Sequence, residues 1–139
     1  MNHVALEQLE ERAAGTGVEL DLMALVGNWV NTNASPALMR RIQLVPAPNQ
    51  RQNQVMMRVA GAEPGLPEDW GESEAQLFAE STTSGEAMAF SASFDLHGVE
   101  SLLQGYVVKG VLVIVSFTRV ADGRERSSSF GKEFFYRVS

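Results

Sequence analysis

Tyr106, Glu133 and Arg41 are three polar side chains of this 139-residue chain that fall inside strand-like runs. A phenol, a carboxylate and a guanidinium there are the first candidates for acid, base or hydrogen-bonding work on a bound molecule. Arg58 is placed in the same way. A charge facing an apolar interior needs a partner or a ligand, because an unpaired buried charge is very costly. An inward Arg41 or Arg58 would therefore imply a ligand carrying a carboxylate, enolate or phenolate. Asp69-Trp70-Gly71-Glu72 is the second cluster. Trp70 either plugs one end of the domain or flanks a pocket mouth where Asp69 or Glu72 orients a polar ligand group. The two histidines are far apart: His3 is near the start, and His97 sits in Asp95-Leu96-His97-Gly98, which reads as a turn. There is no cysteine, which excludes disulfides, thiolate metal ligands and a cysteine nucleophile. No nucleophilic triad, zinc-spaced ligand set or glycine-rich strand-to-helix loop is readable, so neither a metal nor a cofactor is expected.

The elements that must position these groups follow from periodicity. Val4 to Ala13 has good helix formers with apolar residues at helical spacing, and Gly15 and Gly17 end it. A second short element, a turn or a helix, is expected over 20–26. After Gly27 eight segments alternate with period two or are rich in β-branched and aromatic residues. They are Trp29–Asn33, Met39–Val45, Gln54–Ala60, Glu74–Ala79, Ala87–Asp95, Ser101–Val108, Val111–Arg119 and Ser129–Val138. Pro46 and Pro48 interrupt the chain between the second and third, since proline has no amide hydrogen for the ladder. Lys109-Gly110 and Asp122-Gly123 are hairpin dipeptides. Residues 61–71, carrying Pro64 and Pro67, read as the one long loop. No helical run lies between the strands, so parallel βαβ units are not expected. The fold class is all-β: an eight-stranded antiparallel up-and-down barrel with a short N-terminal helix, with a β-sandwich as the alternative. Residues 1–24 form the lead-in and 25–139 the barrel domain.

Alternation assigns faces. Met88, Phe90, Ala92 and Phe94 share one side of their strand; Ile42 and Leu44 oppose Arg41 and Gln43; Val55, Met57 and Val59 oppose Met56 and Arg58. Val111–Phe117 is apolar on both faces, which fits a barrel wall with a lumen inside and the N-terminal helix or another subunit outside. Eight strands enclose either a filled core or one small ligand. The candidate lumen lining is Met57, Met88, Phe90, Phe94, Tyr106 and Phe117, with Trp70 at the mouth.

Leu25-Val26-Gly27-Asn28-Trp29-Val30-Asn31 resembles the Gly-x-Trp opening of lipocalins and related calycins, including uncharacterised bacterial lipocalin-like proteins with an Asp-Trp-Gly loop such as Asp69-Trp70-Gly71. The resemblance implies that Trp29 closes one barrel end against a basic side chain of the last strand. Arg137 is the positional match and Arg119 the second choice. Stacking a guanidinium on an indole gains cation–π energy while its head still reaches water. The chain differs from secreted lipocalins in lacking cysteine and from avidins in lacking their tryptophan-rich later strands.

A net charge of −6 does not suit a nucleic-acid-binding surface. No apolar stretch has the roughly 20 residues of a membrane-spanning helix, and the start shows no signal-peptide pattern, so a cytoplasmic setting is expected. The expected function is the binding of a small hydrophobic or aromatic metabolite in the lumen. One alternative is a cyclase or isomerase of the same fold, with Tyr106, Glu133 or Arg41 as catalytic groups. The other is a filled barrel acting through its outer face as an oligomeric interaction protein.

Overall fold

The computed structural model describes residues 20–48, 54–120 and 128–139. Eight strands run in chain order: β1 Gly27–Asn31, β2 Met39–Pro46, β3 Gln54–Gly61, β4 Asp69–Ala79, β5 Ala87–Asp95, β6 Val99–Val108, β7 Val111–Val120 and β8 Ser129–Arg137. Each pairs antiparallel with the next, and β1 pairs with β8 through Trp29 opposite Arg137, closing the barrel. The β-sandwich alternative is thereby set aside. Closure satisfies every wall strand on both sides and leaves no open edge. The expected helix over 4–13 and the Asp122-Gly123 turn lie outside the described residues. No helix among the described residues is long and apolar enough to cross a membrane.

The hairpin turns follow from residue type. Lys109 and Gly110 both take positive φ, at 52° and 79°, as do His97 and Gly98, at 56° and 92°. Two consecutive positive φ values make the tight turn whose twist matches the flanking strands, and glycine adopts that conformation without steric cost. His97 is thus a turn residue. The strand expected from Glu74 instead starts at Asp69, so Trp70 lies in the sheet rather than in a loop. Pro64, Gly65 and Pro67 end the loop earlier, and Gly71, at φ 82°, absorbs a register shift between Arg58 and Ala60.

The core is the lumen. Trp29, Leu44, Met57, Leu103, Leu112, Ile114 and Phe135 expose no surface at all, so no water-sized gap adjoins them. Phe90 lies across Gly105 on the neighbouring strand: a Cβ at Gly105 would stand 2.3 Å from its ring. The middle of the barrel is filled by side chains.

Candidate functional site

The two barrel ends differ. At the closed end the chain enters through a single turn, with the Val26 amide donating to the Leu22 carbonyl at 2.9 Å. Gly27 follows at φ 142°, a conformation that favours glycine, and a Cβ there would meet the Ser139 carbonyl oxygen at 2.5 Å. The Trp29 indole Nε1 donates to the Leu25 carbonyl at 2.9 Å. The Arg137 guanidinium lies 4.7 Å from the Trp29 ring and donates to the Met23 and Ala24 carbonyls at 2.8 and 2.6 Å. One arginine therefore staples the entering segment, the first strand and the last. Arg119, the second choice for this role, lies elsewhere and pairs with Glu100 on the outer wall at 2.6 Å.

At the other end, the loops after β1, β3 and β5 border the mouth. The β3–β6 side is roofed. Trp70 is buried and packs edge-on against Phe94, with ring centroids 5.6 Å apart, beside the buried Leu66 and Leu96. This is the plug arrangement. Its indole Nε1 is buried with no hydrogen-bond partner among the described residues, and a Cβ at Gly61 would stand 2.5 Å from it. Asp69 instead accepts from the Gly71 amide, and Glu72 pairs with Arg58 at 2.9 Å on the outer face.

Among the described residues, the β7–β8 side of the mouth stays open. Ser116 and Thr118 of β7 and Gly131 and Glu133 of β8 line a cleft of about 220 Å³, with Leu38 of the β1–β2 loop and Phe130 at its rim. It is open because the inward positions here carry small side chains. Gly131 has none, and a Cβ there would come within 3.3 Å of Ser116 Oγ. Thr118 and Ser101 share a hydroxyl–hydroxyl bond of 3.1 Å. Ser116 is buried but its hydroxyl makes no hydrogen bond among the described residues, and it faces the cleft.

Glu133 turns inward and is held by donors. Its Oε2 accepts from Asn31 Nδ2 at 2.9 Å and from the Leu38 amide at 3.4 Å, while Oε1 accepts from the Met39 amide at 3.1 Å. The carboxylate thus ties β8 to the β1–β2 loop and shapes that rim. Glu133→Gln replaces one acceptor oxygen by a donor, which leaves an amide unpaired. The expected loss is about 2 kcal/mol, or roughly 5–10 °C in Tm. Thermal melts, with amide exchange at Leu38 and Met39, check this; unchanged exchange at both amides refutes the tether.

The other candidates separate. Met57, Phe90 and Phe94 face the lumen but are packed into its core. Met88 is half-buried and packs against the core, while Ala87, beside the irregularity between Phe78 and Ala79, is fully buried. Tyr106 and Phe117, expected in the lining, are on the outer wall, 37% and 46% exposed, because the small residues Gly105 and Ser116 take the inward phase of their strands. Arg41 and Arg58 face outward as well. Tyr106, Glu133 and Arg41 are therefore not brought together. The residues that line the cleft, Ser116, Thr118 and Gly131, belong to no motif; the available signal was their phase with Ile114 and Phe135 along the strands. Comparison with protein-family profiles, with curated proteins and with solved structures gave no match.

Proposed function

We propose that the chain is a small-molecule-binding barrel of the lipocalin-like kind whose binding site is the cleft at the open end, not the whole lumen. The observation that carries this reading is the gap left by Ser116, Thr118 and Gly131 above a packed core, with the Ser116 hydroxyl facing it. The Trp29–Arg137 closure of the opposite end supports the lipocalin-like kinship. The cleft is smaller than the pockets of roughly 300–1,000 Å³ that hold drug-sized ligands. It equals the space of about seven water molecules at ~30 Å³ each. That fits a single-ring compound with apolar edges toward Leu38 and Phe130 and one hydroxyl or amine toward Ser116 and Thr118.

Native mass spectrometry of the gently purified protein, followed by titration with phenol, indole and benzylamine, tests the reading. Saturable amide shifts are expected at Ser116 and Thr118 in NMR spectra. In Gly131→Leu, whose side chain fills the cleft, binding weakens at least about tenfold, since the desolvated contacts that hold a small ligand are lost. Equal binding by wild type and Gly131→Leu would place the ligand elsewhere. No co-purified compound and no shift with any probe would remove the binding reading.

A further inference from the structure

The outer face of β6, β7 and β8 is apolar over most of its length, in a chain whose core is already inside the barrel. Cross-strand registers align Leu102 with Phe117 and Phe130, Tyr106 with Val113 and Phe134, and Val108 with Val111 and Tyr136. Apart from the half-buried Val111 and the buried Val113, the side chains of these rows stand between 37% and 77% exposed. At 150–250 Å² for each large side chain, they present roughly 700 Å² of apolar surface. The largest apolar patch on an ordinary monomer is about 300–600 Å², whereas each side of a standard protein–protein interface is about 800 Å².

We propose that this wall is the interface of a homodimer, with the two-fold axis running along β7. Three observations select a second copy as the occupant. First, a two-fold axis in that direction sets β6 of one protomer against β8 of the other, and the two strands are complementary in order. Leu102 meets Phe130, Tyr106 meets Phe134 and Val108 meets Tyr136, each at its own level. Second, the one polar row on the patch crosses it as Gln104, Val115 and Lys132. The same axis places Lys132 opposite Gln104, so the ammonium, which already lies 5.9 Å from the Phe134 ring centroid, meets an amide rather than its own copy. Arg119 nears its copy at the rim, but each is neutralised by Glu100 of its own chain. Third, the wall holds both a projection and a recess. Phe130, stacked on Phe117 at 6.4 Å, is 77% exposed, and a groove of about 470 Å³ runs over Leu102 and Phe117 with Glu100 and Arg119 at its edge. The axis brings Phe130 of each protomer to the groove of the other. Two convex walls touch over about three strands, which is the width of the patch.

The test uses the full chain. Sedimentation should give twice the 15.2 kDa chain mass at micromolar concentration. The absence of cysteine makes single-thiol cross-linking unambiguous. Val115→Cys lies on the proposed axis, and a bis-maleimide spanning about 10 Å, the spacing of face-packed sheets, should join two chains. Gln43→Cys, on the opposite wall, should not be joined. Phe130→Lys should weaken the dimer by about 30-fold or more, the effect of removing a central aromatic anchor. Phe134→Lys, farther from the mouth cleft, should act in the same direction. A single-chain mass for the wild type overturns the proposal. If Leu6→Asp with Leu9→Asp then raises binding of a hydrophobic dye, the wall is covered by the chain's own N-terminal segment instead. A dimer that cross-links through Gln43→Cys and not through Val115→Cys overturns the assigned face.

Discussion

Replacing Trp29 by alanine is expected to cost about 4 kcal/mol, within the 3–5 kcal/mol range for deleting a large buried aromatic. The chain's whole stability should be of order 5–15 kcal/mol, so this one change consumes a large share of it. Three losses combine. The indole is fully buried and fills the closed end of the barrel. Its Nε1 bond to the Leu25 carbonyl disappears, leaving that carbonyl without its partner. The Arg137 guanidinium loses the ring beneath it, while its two bonds to Met23 and Ala24 must then hold the entering segment alone. Trp29→Phe separates these terms: it keeps most of the bulk and a ring for Arg137 but not the donor, and should cost about 1–2 kcal/mol. A cycle of Trp29→Phe with Arg137→Lys should show coupling, because lysine retains the charge but not the planar fork that reaches two carbonyls at once. Urea unfolding followed by circular dichroism gives these values. A loss under about 1 kcal/mol for Trp29→Ala would mean that the closed end is held by something other than this cap.

This end of the molecule was legible in the sequence because its signals are local and carry their own geometry. A Gly-x-Trp before the first strand and an arginine in the last are found by position. Closure of the barrel then brings Trp29 and Arg137 into register. The eight strands were legible for a similar reason: their turns carry residues suited to positive φ, and most of them alternate cleanly. Side assignment failed where alternation carries no hydrophobic contrast. In β6 the inward residues are Val99, Ser101, Leu103, Gly105 and Val107, while Leu102, Tyr106 and Val108 face out. The outward set is the bulkier and as apolar, so a reading that sends large apolar side chains inward selects the wrong phase. Met88 is only half-buried for a different reason: an irregularity in the β4–β5 ladder moves one residue out of step, though its side chain still packs against the core. The cleft could not be read at all from motifs. It exists because serine, threonine and glycine on two neighbouring strands fall at the same height in the lumen, which is a property of register rather than of either segment alone.

Whether the lumen is filled or open is decided by one such cross-strand pair, and Gly105→Ala tests it with the second large effect. Phe90 and Gly105 are direct partners across β5 and β6, and the ring lies where a Cβ would be. Phe90 is itself buried, so it has little room to withdraw. Adding a single methyl group should cost about 3 kcal/mol, the upper part of the usual overpacking range, although alanine would ordinarily stabilise a strand relative to glycine by about 0.5–1 kcal/mol. The compensating change is specific. Phe90→Leu alone leaves a void and destabilises, yet combined with Gly105→Ala the new methyl occupies part of that void, so the double variant should be more stable than the sum of the two singles predicts. Phe90→Ala alone should cost about 3–5 kcal/mol and create a dry apolar cavity in mid-barrel. A benzene-sized molecule would then raise its Tm while leaving that of the wild type unchanged, since only the variant has space to hold it. Additive losses in the double variant, or equal stabilisation of wild type and Phe90→Ala by the same molecule, would show that Phe90 does not fill the lumen. The barrel would then be open along its length rather than only at the cleft beside Ser116 and Gly131.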